Sequence, residues 1–128
     1  MARPASKHPT ELELAILKIL WQGGPLPVRD VRDRLARKLA ITSVTTIMNI
    51  MVEKGYLAKD KTGPSFVYEP TVTERSTTQR MLKDLVKRAF DGSAAVAMVN
   101  LLESSDLDLE EIKRLRQLLN AKRGEARQ

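Results

Sequence analysis

The fold is decided by residues 42–70, which read TSVTTIMNIMVEKGYLAKDKTGPSFVYEP. In the first half of this stretch, apolar residues recur at intervals of three and four, which is the spacing of one apolar helix face: Val44, Ile47, Met48, Met51 and Val52. Thr42 or Ser43 can cap the start of such a helix, and Gly55 suits a left-handed residue at its end. The stretch therefore predicts a short amphipathic helix that closes at a glycine.

A basic hairpin is predicted directly after this helix. Residues 56–61 and 65–69 have strand-like composition, and residues 62–64, Thr-Gly-Pro, supply the turn between them. Lys59 and Lys61 lie near the tip, where they could meet the phosphates of a nucleic acid. The alternative is an ordinary surface hairpin with solvated lysines.

The polar face of the predicted helix carries short hydrogen-bonding side chains, which would let it approach base edges in a DNA major groove. No cation occurs between Ile41 and Val52. We therefore assign base reading to the hydroxyl and amide side chains, namely Ser43, Thr45, Thr46 and Asn49. Contacts to the DNA backbone are assigned to Arg29, Arg32, Thr42, Lys54, Lys59 and Lys61.

Two further helices are predicted upstream. Thr10 followed by Glu13 matches a capping box, and apolar spacing continues to about residue 22, so the first helix covers residues 11–22. Pro27 suits the first turn of a second helix that contains Val28, Val31, Leu35 and Leu39. Trp21 closes the apolar face of the first helix and is assigned to the core. Three helices and a hairpin form a winged helix-turn-helix with the third helix in the reading position.

The C-terminal third of the chain predicts three short amphipathic helices. Thr73 can cap the first, residues 94–102 form the second, and Asp106 or Asp108 can cap the third, which extends to about residue 119. About 50 residues of this kind are too few to bury their own apolar surface. We therefore expect a second copy to cover it, with an interface made of Met81, Leu82, Leu85, Val86, Phe90, Val99, Leu102, Ile112, Leu115 and Leu119.

Composition restricts the class of protein. The net charge of +6 over 128 residues favours a polyanionic partner such as double-stranded DNA. Cysteine is absent and the single histidine, His8, is expected to be exposed in a tail, so no metal or other cofactor is predicted. Neither a signal peptide nor a membrane-spanning run is recognisable, which predicts a cytoplasmic protein. The adjacent acids Glu110 and Glu111 suit a helix N-terminus, and no catalytic constellation predicts an enzyme.

Taken together, the patterns predict a mainly α-helical chain with one small β-hairpin. A flexible tail covers residues 1–9, a winged helix-turn-helix domain covers residues 10–72, and a helical dimerisation domain covers residues 73–120. Residues 121–128 are polar and are expected to fray.

Four segments resemble the penicillinase and methicillin-resistance repressors: TELE at residues 10–13, ILW at 19–21, KGYL at 54–57 and DLDLEEIKRLRQLL at 106–119. The order and spacing of the four segments together carry the resemblance. The resemblance implies a dimeric repressor with an N-terminal winged helix, a C-terminal dimerisation domain and a palindromic operator. It also implies a possible link to antibiotic resistance through a beta-lactamase gene.

The resemblance further implies control by proteolysis. In that family a protease activated by a membrane sensor cuts an Asn-aromatic bond in the dimerisation domain, and the matching bond here is Asn100–Leu101. Leucine replaces the aromatic residue, and Asn100 could instead be a polar position in a packed helix. Relatives also commonly carry cations at the positions of Ile50 and Glu53, and the copper-responsive branch needs cysteines that this chain lacks.

Two other classes of function remain open from the sequence. A winged helix can bind protein instead of DNA, and a ligand-sensing regulator can hold a pocket at its dimer interface. Binding that depends weakly on salt would favour the first. The second needs a cavity, which the aromatic-poor C-terminal helices do not indicate.

Overall fold

The computed structural model describes residues 8–126, so residues 1–7 of the predicted N-terminal tail and residues 127–128 lie outside the described residues. The order of elements is α1 (Glu11–Gly23), α2 (Val28–Arg34), α3 (Ile41–Glu53), β1 (Leu57–Thr62), β2 (Ser65–Pro70), α4 (Glu74–Ala89), α5 (Ala94–Ser104) and α6 (Leu109–Ala126). The chain divides into two compact units, one up to Lys83 and one from Asp84 onward. The division falls within α4, later than the boundary predicted at residue 72.

The N-terminal unit is a winged helix built around one apolar core. Each of its three helices and both strands contribute side chains, as the helical spacing predicts: Ile16, Leu17, Leu20, Val31, Val44, Met48, Met51, Leu57 and Tyr68 are buried. Burying an aliphatic side chain of this size contributes about 1.5–3 kcal/mol. Trp21 packs against this cluster, as predicted, and its Nε1 donates to the Val72 carbonyl at 2.9 Å.

The predicted capping box of α1 is confirmed. The Thr10 hydroxyl accepts from the Glu13 amide at 3.2 Å, and Glu13 Oε1 accepts from the Thr10 amide at 2.8 Å. Glu13 is buried, and its second oxygen accepts from Lys54 Nζ at 2.8 Å. Both oxygens of this buried carboxylate are therefore hydrogen-bonded, and Glu13 links the start of α1 to the end of α3.

The connection between α2 and α3 differs from the prediction. Helix α2 ends at Arg34, so Leu35 and Leu39 lie outside it, although both still pack against the core. Leu35 has extended backbone, and Arg32 Nε donates to the Leu39 carbonyl at 3.1 Å, which holds the connection folded over the end of α2. Helix packing needs a bend here that the apolar spacing does not reveal.

The start of α3 is a second correction. The helix begins at Ile41, and its N-cap is Ala40, which has no capping side chain. Thr42 and Ser43 therefore lie inside the first turn and do not cap it, contrary to the prediction. The backbone is extended at Ala40, so the helix starts from an N-cap two residues before Thr42, the nearest hydroxyl side chain.

The hairpin has the predicted position and a regular antiparallel register from Leu57↔Pro70 to Thr62↔Ser65. Gly63 has φ +71°, which suits the first central position of a two-residue hairpin loop. Tyr68 also exchanges backbone hydrogen bonds with Leu26 at 3.1 and 2.9 Å, on the other edge of β2. The segment between α1 and α2 therefore holds the hairpin against the helices.

The C-terminal unit consists of the end of α4 with α5 and α6. Ser93 caps α5 by accepting from the Val96 amide at 3.1 Å. Asp108 and Glu111 form a reciprocal capping box at the start of α6, which selects Asp108 over Asp106. The predicted cap of α4 is also present, since the Thr73 hydroxyl accepts from the Ser76 amide.

Helix α6 continues to Ala126, so the tail predicted to fray from Ala121 is helical as far as it is described. Lys122 and Glu125 form an i,i+3 ion pair at 3.6 Å in this extension. Polar composition alone suggests disorder, but apart from Gly124 these residues are good helix formers, and they continue an established helix. Among residues 8–126, no helix combines the length and hydropathy needed to span a bilayer.

Candidate DNA-binding surface

Helix α3 presents a polar face to solvent. Val44, Met48 and Met51 anchor the opposite face in the core, and the 3.6-residue period then turns the predicted reading residues outward. The outward positions, fully or partly exposed, are Thr42, Ser43, Thr45, Thr46, Asn49, Ile50 and Glu53. The four residues assigned to base reading therefore lie on one side of one helix.

The hydroxyl groups of Thr45 and Thr46 are bonded to their own helix. Thr45 Oγ1 donates to the Ile41 carbonyl at 2.7 Å, and Thr46 Oγ1 donates to the Thr42 carbonyl at 2.9 Å. Each hydroxyl has only one proton, so in this arrangement it offers a base an oxygen acceptor and a methyl group. Both threonines can therefore recognise base amino groups and thymine methyls, but they cannot donate to base acceptors without breaking a bond.

Asn49 is held by two side chains from the hairpin. Its Oδ1 accepts from the Tyr68 hydroxyl at 2.9 Å and from Lys59 Nζ at 3.1 Å. A lysine ammonium can only donate, so the amide atom beside it must be oxygen. The Asn49 amide oxygen is therefore occupied, and Nδ2 is the end left to donate to a base.

The pKa of Tyr68 supports this arrangement. Burial raises the pKa of the Tyr68 phenol above its ordinary value of 10.0, which agrees with its role as a hydrogen-bond donor to Asn49. Burial also raises the pKa of Tyr56, and the nearby Glu13 carboxylate raises it further. Tyr68 joins the hairpin to the reading helix through a neutral donor.

The hairpin carries a cationic tip built around an exposed aromatic ring. Lys59 Nζ lies 4.6 Å and Lys61 Nζ lies 5.9 Å from the centroid of the Phe66 ring. Lys61 and Phe66 are direct cross-strand partners, which accounts for the contact. The ring orders two ammonium groups at the tip, beside the reading face of α3.

Lys54 has a structural role that the sequence did not predict. Its Nζ lies 2.8 Å from Glu13 Oε2, and the Lys54 side chain is 24% exposed. One of its donors is thereby committed to the fold. A phosphate contact by the remaining N–H groups stays a prediction.

The other assigned backbone contacts come from α2 and the start of α3. Arg29, Arg32 and Thr42 are exposed, and Arg32 uses Nε to hold the connection to α3. All ten residues assigned to DNA thus belong to the N-terminal unit. Their roles toward DNA remain predictions.

Three residues of this surface escaped the sequence reasoning. From the sequence, Phe66 and Tyr68 are predicted only as strand residues, and Ile50 is noted only as a position where relatives commonly carry a cation. Alternation along β2 could have placed Phe66 and Tyr68 on one face, but the Asn49 contact joins residues 19 positions apart. No local sequence signal predicts it.

His8 was expected to be exposed, but it is half-buried. It lines a small pocket in the N-terminal unit together with Pro9, Tyr56, Val72, Thr77 and Arg80. Among residues 8–126 no group of three or more histidine or acidic side chains is placed to hold a metal ion.

The sequence is similar to those of known proteins along most of its length. The profile of the penicillinase repressor family matches residues 9–121. The penicillinase repressor of Bacillus licheniformis is 26% identical over 112 residues, which are 86% of this chain and 88% of that protein. The methicillin resistance regulatory protein MecI of Staphylococcus aureus strain N315 is 21% identical, over 86% of this chain and 91% of that protein.

Among solved structures, a MarR family protein from Bacillus stearothermophilus aligns with a TM-score of 0.49 and 19% identity, over 93% of this chain and 76% of that chain. The family profile, in contrast, covers the winged helix and nearly all of the C-terminal helices. The chain therefore belongs to the penicillinase repressor family and is a transcriptional repressor.

Proposed function

We propose that the protein represses transcription as a homodimer bound to a palindromic operator in double-stranded DNA. The observation that carries the proposal is the juxtaposition of the polar face of α3 with a lysine-bearing hairpin in one compact unit. A helix of this kind fits the major groove while a hairpin beside it reaches the flanking backbone. Repression follows when the bound dimer occupies promoter DNA.

The contacts divide into two kinds. Base reading rests on Ser43, Thr45, Thr46 and Asn49, with Asn49 acting as a donor through Nδ2 because its oxygen is occupied. Backbone anchoring rests on Lys59, Lys61, Arg29, Arg32 and Thr42, with Lys54 as a further contact. Phosphate contacts position the protein, and base contacts select the sequence.

The C-terminal helices support dimerisation. Of the ten residues predicted for the interface, seven are large apolar side chains at least 39% exposed in the single chain: Leu82, Leu85, Val99, Leu102, Ile112, Leu115 and Leu119. Met81, Val86 and Phe90 are half-buried. Exposed apolar surface of this extent is typical of a protein interface. A second copy supplies the missing cover.

An apolar groove in the C-terminal unit supports this proposal. It has a volume of about 800 Å³ and lies between α5 and α6, with Met98, Leu102, Leu115 and Leu119 in its walls. The sequence had not indicated a cavity here. Because the lining runs along both helices as far as Glu125, a helix from the second copy suits the groove better than a compact ligand.

A twofold dimer accounts for a palindrome. One recognition helix reads only a few base pairs, whereas two helices related by a twofold axis read inverted half-sites. Half-sites must then be separated by about one helical turn, or a multiple of it.

Proteolysis that releases repression would act at the Asn100–Leu101 peptide bond. Asn100–Leu101 lies within α5, and Asn100 Nδ2 donates to the Val96 carbonyl at 2.9 Å. This hydrogen bond supports the interpretation of Asn100 as a polar position in the helix. Cleavage by a sensor-linked protease would require α5 to unwind at this point, since the helix restrains the Asn100–Leu101 peptide bond.

The proposal is tested by selecting sequences from random DNA with the purified full-length chain and measuring affinity for the selected site against salt. We expect an enriched palindrome. If the four cations Lys59, Lys61, Arg29 and Arg32 of each protomer contact phosphates, the slope of log affinity against log salt should be about −7. Sedimentation should give a dimer at micromolar concentration. No enriched sequence and weak salt dependence would support the protein-interaction alternative instead.

A further inference from the structure

The reading face of α3 contains one apolar side chain. Ile50 is 40% exposed, and it lies one helical turn after Thr46 and two turns after Thr42. The core does not need it, because Val44, Met48 and Met51 hold the opposite face of the helix. An isoleucine here leaves apolar surface in the middle of a face made otherwise of polar groups.

The hydrogen bonds around Ile50 restrict what this face can recognise. The Thr46 hydroxyl donates its proton to Thr42, so it offers an acceptor and a methyl group. Asn49 has its oxygen occupied by Tyr68 and Lys59, so it offers a donor. Beside Ile50 the helix therefore presents one acceptor and one donor, and the apolar surface there is that of Ile50 and the Thr46 methyl group.

In the major groove, thymine alone carries a methyl group, and its adenine partner offers both an amino donor and an N7 acceptor. A G·C pair has no methyl group to meet an apolar side chain. We propose that Ile50 is a specificity-determining residue that contacts a thymine methyl in each half-site. The inference rests on the proposed function and adds a base preference to it.

The size of the effect follows from the group that is buried. One methyl group removed from water contributes about 0.8 kcal/mol, which corresponds to a fourfold change in affinity. Loss of the contact in both half-sites should therefore weaken binding about fifteenfold. Such a change is easily measured and smaller than the loss of a bidentate base contact.

The experiment uses the full-length protein and the site selected from random DNA. Each thymine is replaced in turn by deoxyuridine, symmetrically in both half-sites, which removes only the methyl group. Affinities are measured for the native protein, Ile50→Ala and Ile41→Ala. Ile41 is the matched control, because it is 37% exposed at the first position of α3 and lies away from the outward ridge of Thr42 and Thr46. Circular dichroism confirms that each variant is folded.

We expect one thymine at which the native protein and Ile41→Ala lose about fifteenfold on deoxyuridine, while Ile50→Ala binds both DNAs equally. The inference would be overturned if no deoxyuridine replacement weakened binding by the native protein. It would also be overturned if Ile50→Ala lost as much affinity on deoxyuridine as the native protein does. A selected site without thymine would also overturn it, while leaving the proposed function intact. Absence of binding to any DNA would refute the proposed function and this inference together.

Discussion

The ion pair between Glu13 and Lys54 gives the sharpest test of what holds the reading helix in place. Glu13 Oε2 and Lys54 Nζ are 2.8 Å apart, with side chains 5% and 24% exposed. A hydrogen bond to a charged group contributes about 1.5–3 kcal/mol. Glu13→Gln keeps an oxygen for the Thr10 amide but removes the charge opposite Lys54. We expect it to lower the free energy of unfolding by about 2 kcal/mol.

Lys54→Met should cost a similar amount for a different reason. It leaves the Glu13 carboxylate buried without its cation, which costs 3–5 kcal/mol in a fully buried pair. Lys54 is about one-quarter exposed, so we expect about 2 kcal/mol. In the double variant neither charge remains to be compensated. Its loss should therefore fall short of the sum by about 1–2 kcal/mol.

Urea unfolding followed by tryptophan fluorescence measures these losses. Trp21 is the single tryptophan of the chain and lies in α1, so its signal reports on the N-terminal unit. A loss of 2 kcal/mol should lower the midpoint by about 1 M urea. Protein concentration must be held constant, because dimerisation contributes to apparent stability. Lys18→Met, at an exposed position of α1, is the matched control and should change little.

Strictly additive losses in the double variant would refute the claim that the two side chains stabilise the fold as a pair. The same Lys54→Met protein also tests the predicted phosphate contact. Loss of one contact in each protomer would reduce the salt slope of DNA binding by about 2. An unchanged slope would confine Lys54 to its role in the fold.

Three further outcomes follow from the DNA and dimer surfaces. Tyr68→Phe removes a hydrogen-bond donor to Asn49 and should weaken operator binding about fivefold in a gel-shift titration. In an Asn49→Ala background the same substitution should cause no further loss. A loss that persists in that background would show that Tyr68 does not act through Asn49. Thr46→Ala should weaken specific binding more than non-specific binding, whereas Lys61→Ala should weaken both; equal losses on operator and random DNA for the two variants would contradict this division. Leu115→Glu places a charge in the proposed dimer interface, so we expect this variant to sediment as a monomer at micromolar concentration. An intact dimer would show that Leu115 lies outside the interface.

Local sequence signals were sufficient for most elements of this fold. Apolar spacing located α1, α3, α4 and α5 closely. The capping box at Thr10 gave the start of α1, and the choice of Asp106 or Asp108 as a cap located the start of α6 but not its end. These features depend on residues three or four positions apart, which a sequence shows directly. The early end of α2 at Arg34 depends on how that helix packs and was missed.

The candidate site was predictable in composition but not in its internal bonds. Helical spacing placed Thr46 and Asn49 on one face, yet it could not show that the Asn49 oxygen is taken by Tyr68 and Lys59. The link from Glu13 to Lys54 spans 41 positions. Contacts of this kind are created by the fold, so they become visible only when the elements are packed.

The bridge between Leu26 and Tyr68 has a consequence for solubility. An unpaired strand edge can recruit strands from other molecules and begin aggregation. In the described part of the chain, the Leu26 bridge occupies part of the outer edge of β2, while β1 pairs only with β2. The open edge of β1 carries Lys59, Asp60 and Lys61 in succession. Charges that would guide the hairpin to DNA also discourage it from adding strands of its own kind.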